Sequence, residues 1–337
     1  MYRVWRRGLY RRAGDGGNLS PRRLFKRLLV ILAATALALG LVYWKYAGAI
    51  AIGFGSAIWI PVSAETFWLP HSLSLALRHP APEATPGPVA WTSPSEGFQA
   101  GRLPALVDGE TVDEIVLARI DPAKFRFEVL NEPSGKRRLG DWLRETGAAL
   151  IVNGSYYDRV GRPATPIVSE GVLAGPAAYT SQHGAFIVTG AQARIADLTQ
   201  EDWQAAFKGA QAGIVSYPLL IAPDGSTGRP ARSRWLANRS FVAVDDQGWV
   251  VIGTTASAFF SLDRLATFLK ASPLRLKAAL NLDGGPVACQ GVALGPVQLK
   301  QFGLWEIQAD GASAKMLPPA ILTGAPMPLV LAVFPSH

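Results

Sequence analysis

Apolar positions recur along this chain in three rhythms, and each predicts a different kind of element. The first is an unbroken run, Leu28 to Trp44, without a single charge. Its length lies at the short end of what spans a bilayer as a helix. Tyr43, Trp44, Lys45 and Tyr46 end it with the character of an interfacial belt, so residues 28–46 are expected to form a transmembrane signal anchor. A second apolar segment, Ala47 to Val62, is interrupted by Gly53 and Gly55, which weaken a helix. Lys45 leaves no room for a loop between two spans, so this segment is expected to prolong a tilted helix or to lie along the membrane. From His71 to Gly101, Pro80, Pro82, Pro86, Pro88 and Pro94 predict an extended, poorly packed linker. His71 and His79 fall in it and carry no catalytic expectation.

The second rhythm is alternation, or a short buried run bounded by turn residues, and it begins near Leu103. It predicts strands at Asp113–Ile120, Lys124–Leu130, Ala149–Val152, Ile167–Leu173, Gly184–Val188, Ala193–Ala196 and Ala212–Ile221. Pro218 assigns the last of these to a sheet edge or a bulge. A hairpin follows, Ser240–Val244 and Trp249–Thr254 around Asp245-Asp-Gln-Gly248, then strands at Ala278–Leu282, Leu304–Ile307 and Pro328–Phe334. The third rhythm is helical, at Leu139–Glu145, roughly Thr199–Lys208, and Ser261–Lys270, where Leu262, Leu265 and Leu269 share a face. The expected fold is therefore α+β: a strand-rich mixed or antiparallel sheet domain over 103–337 with a few short helices, preceded by an N-terminal transmembrane helix and the apolar and Pro-rich stretch 47–102. No internal repeat is visible.

Charge changes this picture through its location. The formal net charge of +8 would invite a nucleic-acid partner, but residues 1–27 hold nine Lys or Arg against one acid, and residues 28–337 carry 24 of each sign. A neutral body offers no electrostatic footprint for a polyanion, so nucleic acid is not expected. The basic stretch instead reads as a cytoplasmic tail, 1–27, which sends the body across the membrane in a single pass to the extracytoplasmic, periplasmic side. A cleavage site at Val62-Ser-Ala64 lies too far from Leu28 for an ordinary signal peptide. The single cysteine, Cys289, cannot form an internal disulfide and has no neighbouring histidine to activate it, so it reads as packing.

Candidate chemistry gathers where buried runs end. Ala278-Ala-Leu-Asn-Leu-Asp-Gly-Gly-Pro286 places Asp283 at the end of a strand, before Gly284 and Gly285, whose backbone N–H groups could approach an anion. Ala149–Val152 runs into Asn153-Gly-Ser-Tyr-Tyr-Asp158, and Arg239 opens the hairpin. A carboxylate, an arginine, two amides and paired tyrosines suit a sugar joined to a phosphate. Arg forks onto phosphate oxygens, Asn281 and Asn153 suit sugar hydroxyls, and Tyr156 or Tyr157 either covers a sugar ring or packs in the core. His183, before the Gly184 strand, reads as a structural or surface residue, with a role as base the alternative. Arg229, Arg232 and Arg234 read as a solvated loop. No cofactor is expected; no Cys/His ligand cluster is present, and a divalent cation held by Asp283 and backbone carbonyls stays open.

The order of these segments resembles the phosphodiester glycosidase family. Asn153-Gly-Ser-Tyr-Tyr157, Pro166-Ile-Val-Ser-Glu-Gly171, Pro218-Leu-Leu-Ile-Ala-Pro-Asp-Gly225, the hairpin from Arg239 to Gly253 and Asn281-Leu-Asp-Gly-Gly285 carry the likeness, over about residues 105–310. Two positions depart from it: Ser155 stands where a second Gly is usual, and Pro286-Val287-Ala288 where a Ser or Thr is common. The loss at Val287 removes a hydroxyl that could meet phosphate.

The resemblance implies hydrolysis of a sugar-1-phosphodiester, such as a GlcNAc-1-phosphodiester, in an envelope polysaccharide or glycoconjugate. Asp283 is then the principal carboxylate, Arg239 the phosphate clamp, and Asn153, Gly154, Tyr156, Tyr157, Asn281, Gly284, Gly285 and His183 the substrate-binding set. Glycosidases need a second carboxyl, and Glu170 and Asp158 both remain candidates. The alternative is a membrane-tethered glycan-binding module without catalysis. The expected partners are a phosphorylated glycan and the membrane.

Overall fold

Phe241, Val242, Ala243 and Val244 alternate between two hydrophobic clusters, and that alternation sets the layering of the body. Their strand, Ser240–Asp245, lies inside an eight-stranded sheet ordered Leu219–Ile221, Leu276–Asn281, Ser240–Asp245, Val250–Thr255, Glu110–Ile120, Phe98–Val107, Thr85–Pro86, with Ala90–Ser95 also paired to Phe98–Val107. One face, including Leu117, Phe241 and Ala279, packs on helix Leu262–Ala271 and on the short helix His71–Ala76. The other, including Ile120, Val242 and Leu280, meets Phe127, Val152, Phe186 and Leu331 of two five-stranded sheets.

The first of those sheets runs Val297–Gln301, Gln290–Leu294, Leu150–Asn153, Leu329–Pro335, Phe125–Asn131. The second runs Val172–Ala174, Ile167–Ser169, Ala212–Ser216, Gly184–Thr189, Gln192–Asp197. A fourth sheet joins Ala51–Ile52, Ile58–Val62, Ser313–Leu317, Glu306–Asp310 and Trp235–Ala237. All pairings among these strands are antiparallel.

The structure is a computed structural model that describes residues 21–46, 51–52, 58–176, 178–180, 183–227, 235–310, 313–317 and 325–336. The basic tail up to residue 20 and Arg229, Arg232 and Arg234 lie outside the described residues. Residues 1–50 and 51–337 are two separate units. In the first, Pro21–Tyr46 forms one helix whose Phe25, Leu28, Leu32 and Leu37 side chains are exposed. Among the described residues, no helix is long and apolar enough to cross a membrane.

Several elements differ from the sequence expectation. The segment expected as a linker belongs to the body: Leu73, Leu75 and Ala76 are core residues, and Ala90–Ser95 pairs with the central sheet. The two prolines within its strands are tolerated because they sit at an edge or an irregularity, Pro86 in the terminal strand and Pro94 where the register shifts between Thr92 and Ser95. Ile58-Trp-Ile-Pro-Val62, expected in a helix or along a membrane, is a strand paired with Ser313–Leu317. The run Ala212–Ile221 splits at Tyr217-Pro218 into strands of two different sheets. Ile167–Leu173 folds back on itself at Glu170-Gly171, both at positive φ. The helix expected over Thr199–Lys208 shrinks to Trp203–Ala206, because the Asp202 side chain accepts the Ala205 N–H and starts it late.

Candidate active site

Asp283 leaves the central sheet just beyond strand Leu276–Asn281 and is tied to the neighbouring sheet through its backbone. Its N–H donates to the Gly154 carbonyl at 3.1 Å, and the Asn153 amide donates to its carbonyl at 2.8 Å. The Asn153 side-chain oxygen accepts the Cys289 N–H at 3.2 Å. Asn153 is therefore a buried staple between two strand ends, with both halves of its amide engaged by the backbone. Gly154 works in the same way: a Cβ there would stand 2.7 Å from Leu329 Cγ, so glycine is what allows the two strands to meet. The Ser155 hydroxyl is buried and accepts from Thr165 Oγ1 at 3.4 Å.

The two glycines after Asp283 have a different use from the one expected. Their N–H groups are occupied, Gly284 by the Asp283 Oδ1 at 2.8 Å and Gly285 by the Asn238 carbonyl at 2.9 Å. What they provide is space. A Cβ at Gly284 would lie 3.1 Å from Arg239 Nη1, and one at Gly285, where φ is +69°, would lie 2.6 Å from Glu306 Oε2. A guanidinium and a second carboxyl thus press against the turn that carries the first.

Glu306 was not singled out in the sequence, where it reads only as part of a strand beginning at Leu304. Its position follows from Asn238, which is fully buried. Asn238 Oδ1 accepts the Leu304 and Trp305 N–H groups at 2.9 Å each, while its Nδ2 donates to the Thr255 and Ser257 carbonyls. One amide therefore fixes the entry to Glu306 beside the residue that precedes Arg239. The strand pairing of Ala237 with Glu306 completes the alignment.

Arg239 is buried, and its Nη2 donates to the Trp235 carbonyl at 2.7 Å. Its Nε has no hydrogen-bond partner, and neither does the buried side-chain oxygen of Asn281. Burial lowers the Arg239 pKa, opposed by the charges of Tyr156, Glu306 and Asp283, but a guanidinium stays protonated at any working pH. Burial pushes the Asp283 carboxyl up to about 7; the Glu306 charge adds to the rise, and the Gly284 N–H and Arg239 oppose it. Burial likewise raises Glu306, against Arg239. Two carboxyls of raised pKa therefore flank one partly unpaired cation.

The tyrosines form a wall to this group. Tyr156 donates to the Tyr217 carbonyl at 3.0 Å, and its ring stacks on Tyr217 at 4.3 Å; Asn281 Nδ2 reaches the same carbonyl at 2.9 Å. His183 stacks on the other side of Tyr217 at 4.3 Å, with its Nδ1 hydrogen-bonded to the Tyr179 hydroxyl. Burial depresses the His183 pKa, so the ring is neutral near pH 7. Burial first, and then the Asp283 charge, raise Tyr156 and carry Tyr157 up to about 12.

Other expected residues lie elsewhere. Glu170 is exposed at its hairpin turn and faces a separate cavity lined by Phe127 and Gln211. Asp158 is exposed, and its Oδ1 accepts the Val160 and Arg162 N–H groups, which closes its own loop. Cys289 is buried, and burial raises its thiol to about 11, as suits packing. Val287 stands in the short turn Gly285–Val287 and brings no hydroxyl. Among the described residues, no group of three or more His, Cys, Asp or Glu side chains is disposed to hold a metal ion.

Residues 146–288 match the family model for phosphodiester glycosidases. The family stretch takes in Asn153, Arg239 and Asp283 and ends before Glu306. No curated protein sequence matches the chain. Among solved structures, the zebrafish N-acetylglucosamine-1-phosphodiester alpha-N-acetylglucosaminidase catalytic domain, auto-inhibited by its pro-peptide, aligns with a TM-score of 0.52 at 14% identity, over 77% of this chain and 90% of that one. A hypothetical protein from Synechocystis aligns with a TM-score of 0.47 at 16% identity, over 74% of this chain and 64% of that one. The chain thus spans less than two thirds of the Synechocystis protein's length. At these identities the zebrafish likeness is one of fold.

Proposed function

We propose that this protein is a phosphodiester glycosidase that hydrolyses a sugar-1-phosphodiester of the GlcNAc-1-phosphodiester type, with Arg239 on the phosphate and Asp283 and Glu306 as the working carboxyls. One observation carries the reading: a buried arginine with an unpartnered Nε lies against the same glycine turn as two carboxyls of raised pKa. An unpaired buried donor is costly, and a phosphate oxygen would satisfy it in a bidentate fork. Asp283, raised to about 7, can carry or release a proton near neutrality, and Glu306 is the second carboxyl, so that one can serve as acid and the other as base. A phosphate monoester is a good leaving group, so Arg239 takes over much of the acid's task by stabilising developing charge. The ionised carboxyl then activates water against the anomeric carbon.

The test is kinetic. The unaltered chain should release sugar from a GlcNAc-1-phosphodiester, and Arg239→Gln should lower the rate by about 10²–10³. Absence of hydrolysis by the unaltered chain, with glycan binding retained, would support a binding module instead. The run of exposed apolar side chains from Leu28 to Leu41 on helix Pro21–Tyr46 supports attachment to a membrane, and the basic tail supports an extracytoplasmic body. Fractionation of the full chain should find it in the membrane pellet after a high-salt wash; recovery in the supernatant contradicts the tether.

A further inference from the structure

A line of rings leads away from Asp283 and ends in a second cleft. From the Tyr156–Tyr217–His183 stack, with steps of 4.3 Å and 4.3 Å, it continues to Tyr179 at 5.8 Å and from there to Trp203 at 6.4 Å, edge to face. Tyr179 and Trp203 form the aromatic part of a cavity of about 470 Å³, whose remaining wall includes Thr180, Thr199, Gln200 and Asp202. The phosphodiester chemistry proposed for Asp283 makes no use of it.

The composition of this cleft selects its ligand. Thr199, Gln200 and Asp202 are exposed, and Trp203 and Tyr179 are half-buried. The Asp202 Oδ1 is engaged by the Ala205 N–H and the Gln200 amide by Thr199 Oγ1, so the rim is held in place by short local bonds. Among the described residues no basic side chain lines the cavity; Glu201 is paired with Arg194, and Asp202 is the lining carboxylate left to disfavour an anion. Hydroxyl, amide and carboxylate groups beside aromatic rings suit a ligand with apolar faces and a polar rim, which describes a neutral sugar. The same rings run from the cleft to Tyr156, which lies within the electrostatic reach of Asp283 and Arg239.

We infer that the Trp203 cleft is an outlying subsite for neutral sugar residues of the substrate, so that the natural ligand is an oligosaccharide or polysaccharide carrying the phosphodiester rather than a single sugar phosphate. The link to the phosphodiester rests on the reading proposed above; the subsite rests on the cleft. A glycan long enough to follow the rings engages both ends and gains affinity from the second contact without new chemistry.

The experiment is calorimetric titration of the full chain with neutral oligosaccharides of increasing length, including N-acetylglucosamine oligomers. Affinity should rise with length, and Trp203→Ala and Thr199→Arg should each weaken binding of the longest ligand that binds by at least about tenfold. Trp203 also packs on Phe207 at 6.4 Å, so Thr199→Arg, an exposed change that obstructs the cleft and gives up one surface bond to the Gln200 amide, guards against misfolding as the cause. If no oligosaccharide binds, or if both variants bind like the unaltered chain, the subsite is overturned. Hydrolysis is read separately on a single-sugar phosphodiester. Its absence alongside length-dependent binding would overturn the proposed reaction and leave the subsite standing; its presence without neutral-glycan binding would overturn the subsite alone.

Discussion

The Glu306 carboxyl occupies the space that a side chain on Gly285 would need, with Oε2 2.6 Å from the position of that Cβ. The turn after Asp283 is thus glycine-rich for the sake of a residue some twenty positions later. Gly285→Ala would also strain a backbone held at φ +69°, at a cost on the order of 1–3 kcal/mol. Because the carboxyl end of Glu306 can swing away, the expected result is a folded protein whose hydrolysis falls by more than its stability accounts for. Denaturant unfolding and kcat, measured on the same preparation, check this.

Glu306→Gln and Glu170→Gln separate the two candidates for the second carboxyl. Removing a positioned acid or base costs about 10²–10⁴ in rate, and that loss is expected for Glu306. Glu170, exposed on its hairpin turn, should give a variant within about a factor of two of the unaltered chain, since surface changes of this kind alter little. Initial rates on one sugar phosphodiester decide it.

Asn238→Ala removes four hydrogen bonds at a fully buried position and leaves the Leu304 and Trp305 N–H groups without acceptors. Each orphaned buried group costs about 1–3 kcal/mol. The expected loss is therefore several kcal/mol of stability, visible as a lower denaturant midpoint, together with loss of activity as Glu306 shifts.

Asp283→Asn should stabilise the protein in a pH-dependent way. The folded-state pKa is raised to about 7 from 3.8, so the fold prefers the protonated acid. The stability linked to that proton is fully present below about pH 4 and is lost as pH rises through 7. The neutral amide escapes this loss. Its advantage should be near zero at pH 4 and on the order of 2–4 kcal/mol at pH 8. Unfolding curves at the two pH values test the sign as well as the size.

The strands and the carboxylate turn were legible in the sequence because alternation and Asp-Gly-Gly are local signals. Arg239 lies against the turn that carries Asp283, and Asn281 bonds to Tyr217 beside Tyr156, each at or just outside a strand end. The failures were of longer range. The sequence around Asn153 does not show that Asp283 and Cys289 take up its amide. Glu306 gave no local motif; only the bonds from Asn238 to Leu304 and Trp305 bring it in. Tyr217 was read as part of a strand, yet the break before Pro218 turns its ring between Tyr156 and His183. The proline-rich stretch after His71 reads as a linker because prolines mark poor packing on average, whereas in this fold Pro86 falls at an edge and Pro94 at a register shift.

The most direct measurement is hydrolysis of a sugar-1-phosphodiester in water labelled with heavy oxygen. Attack at the anomeric carbon, with Arg239 holding the phosphate as leaving group, places the label in the released sugar and none in the phosphate. Label in the phosphate would mean cleavage of the P–O bond instead, and would contradict the roles of Arg239, Asp283 and Glu306 in the proposed reaction.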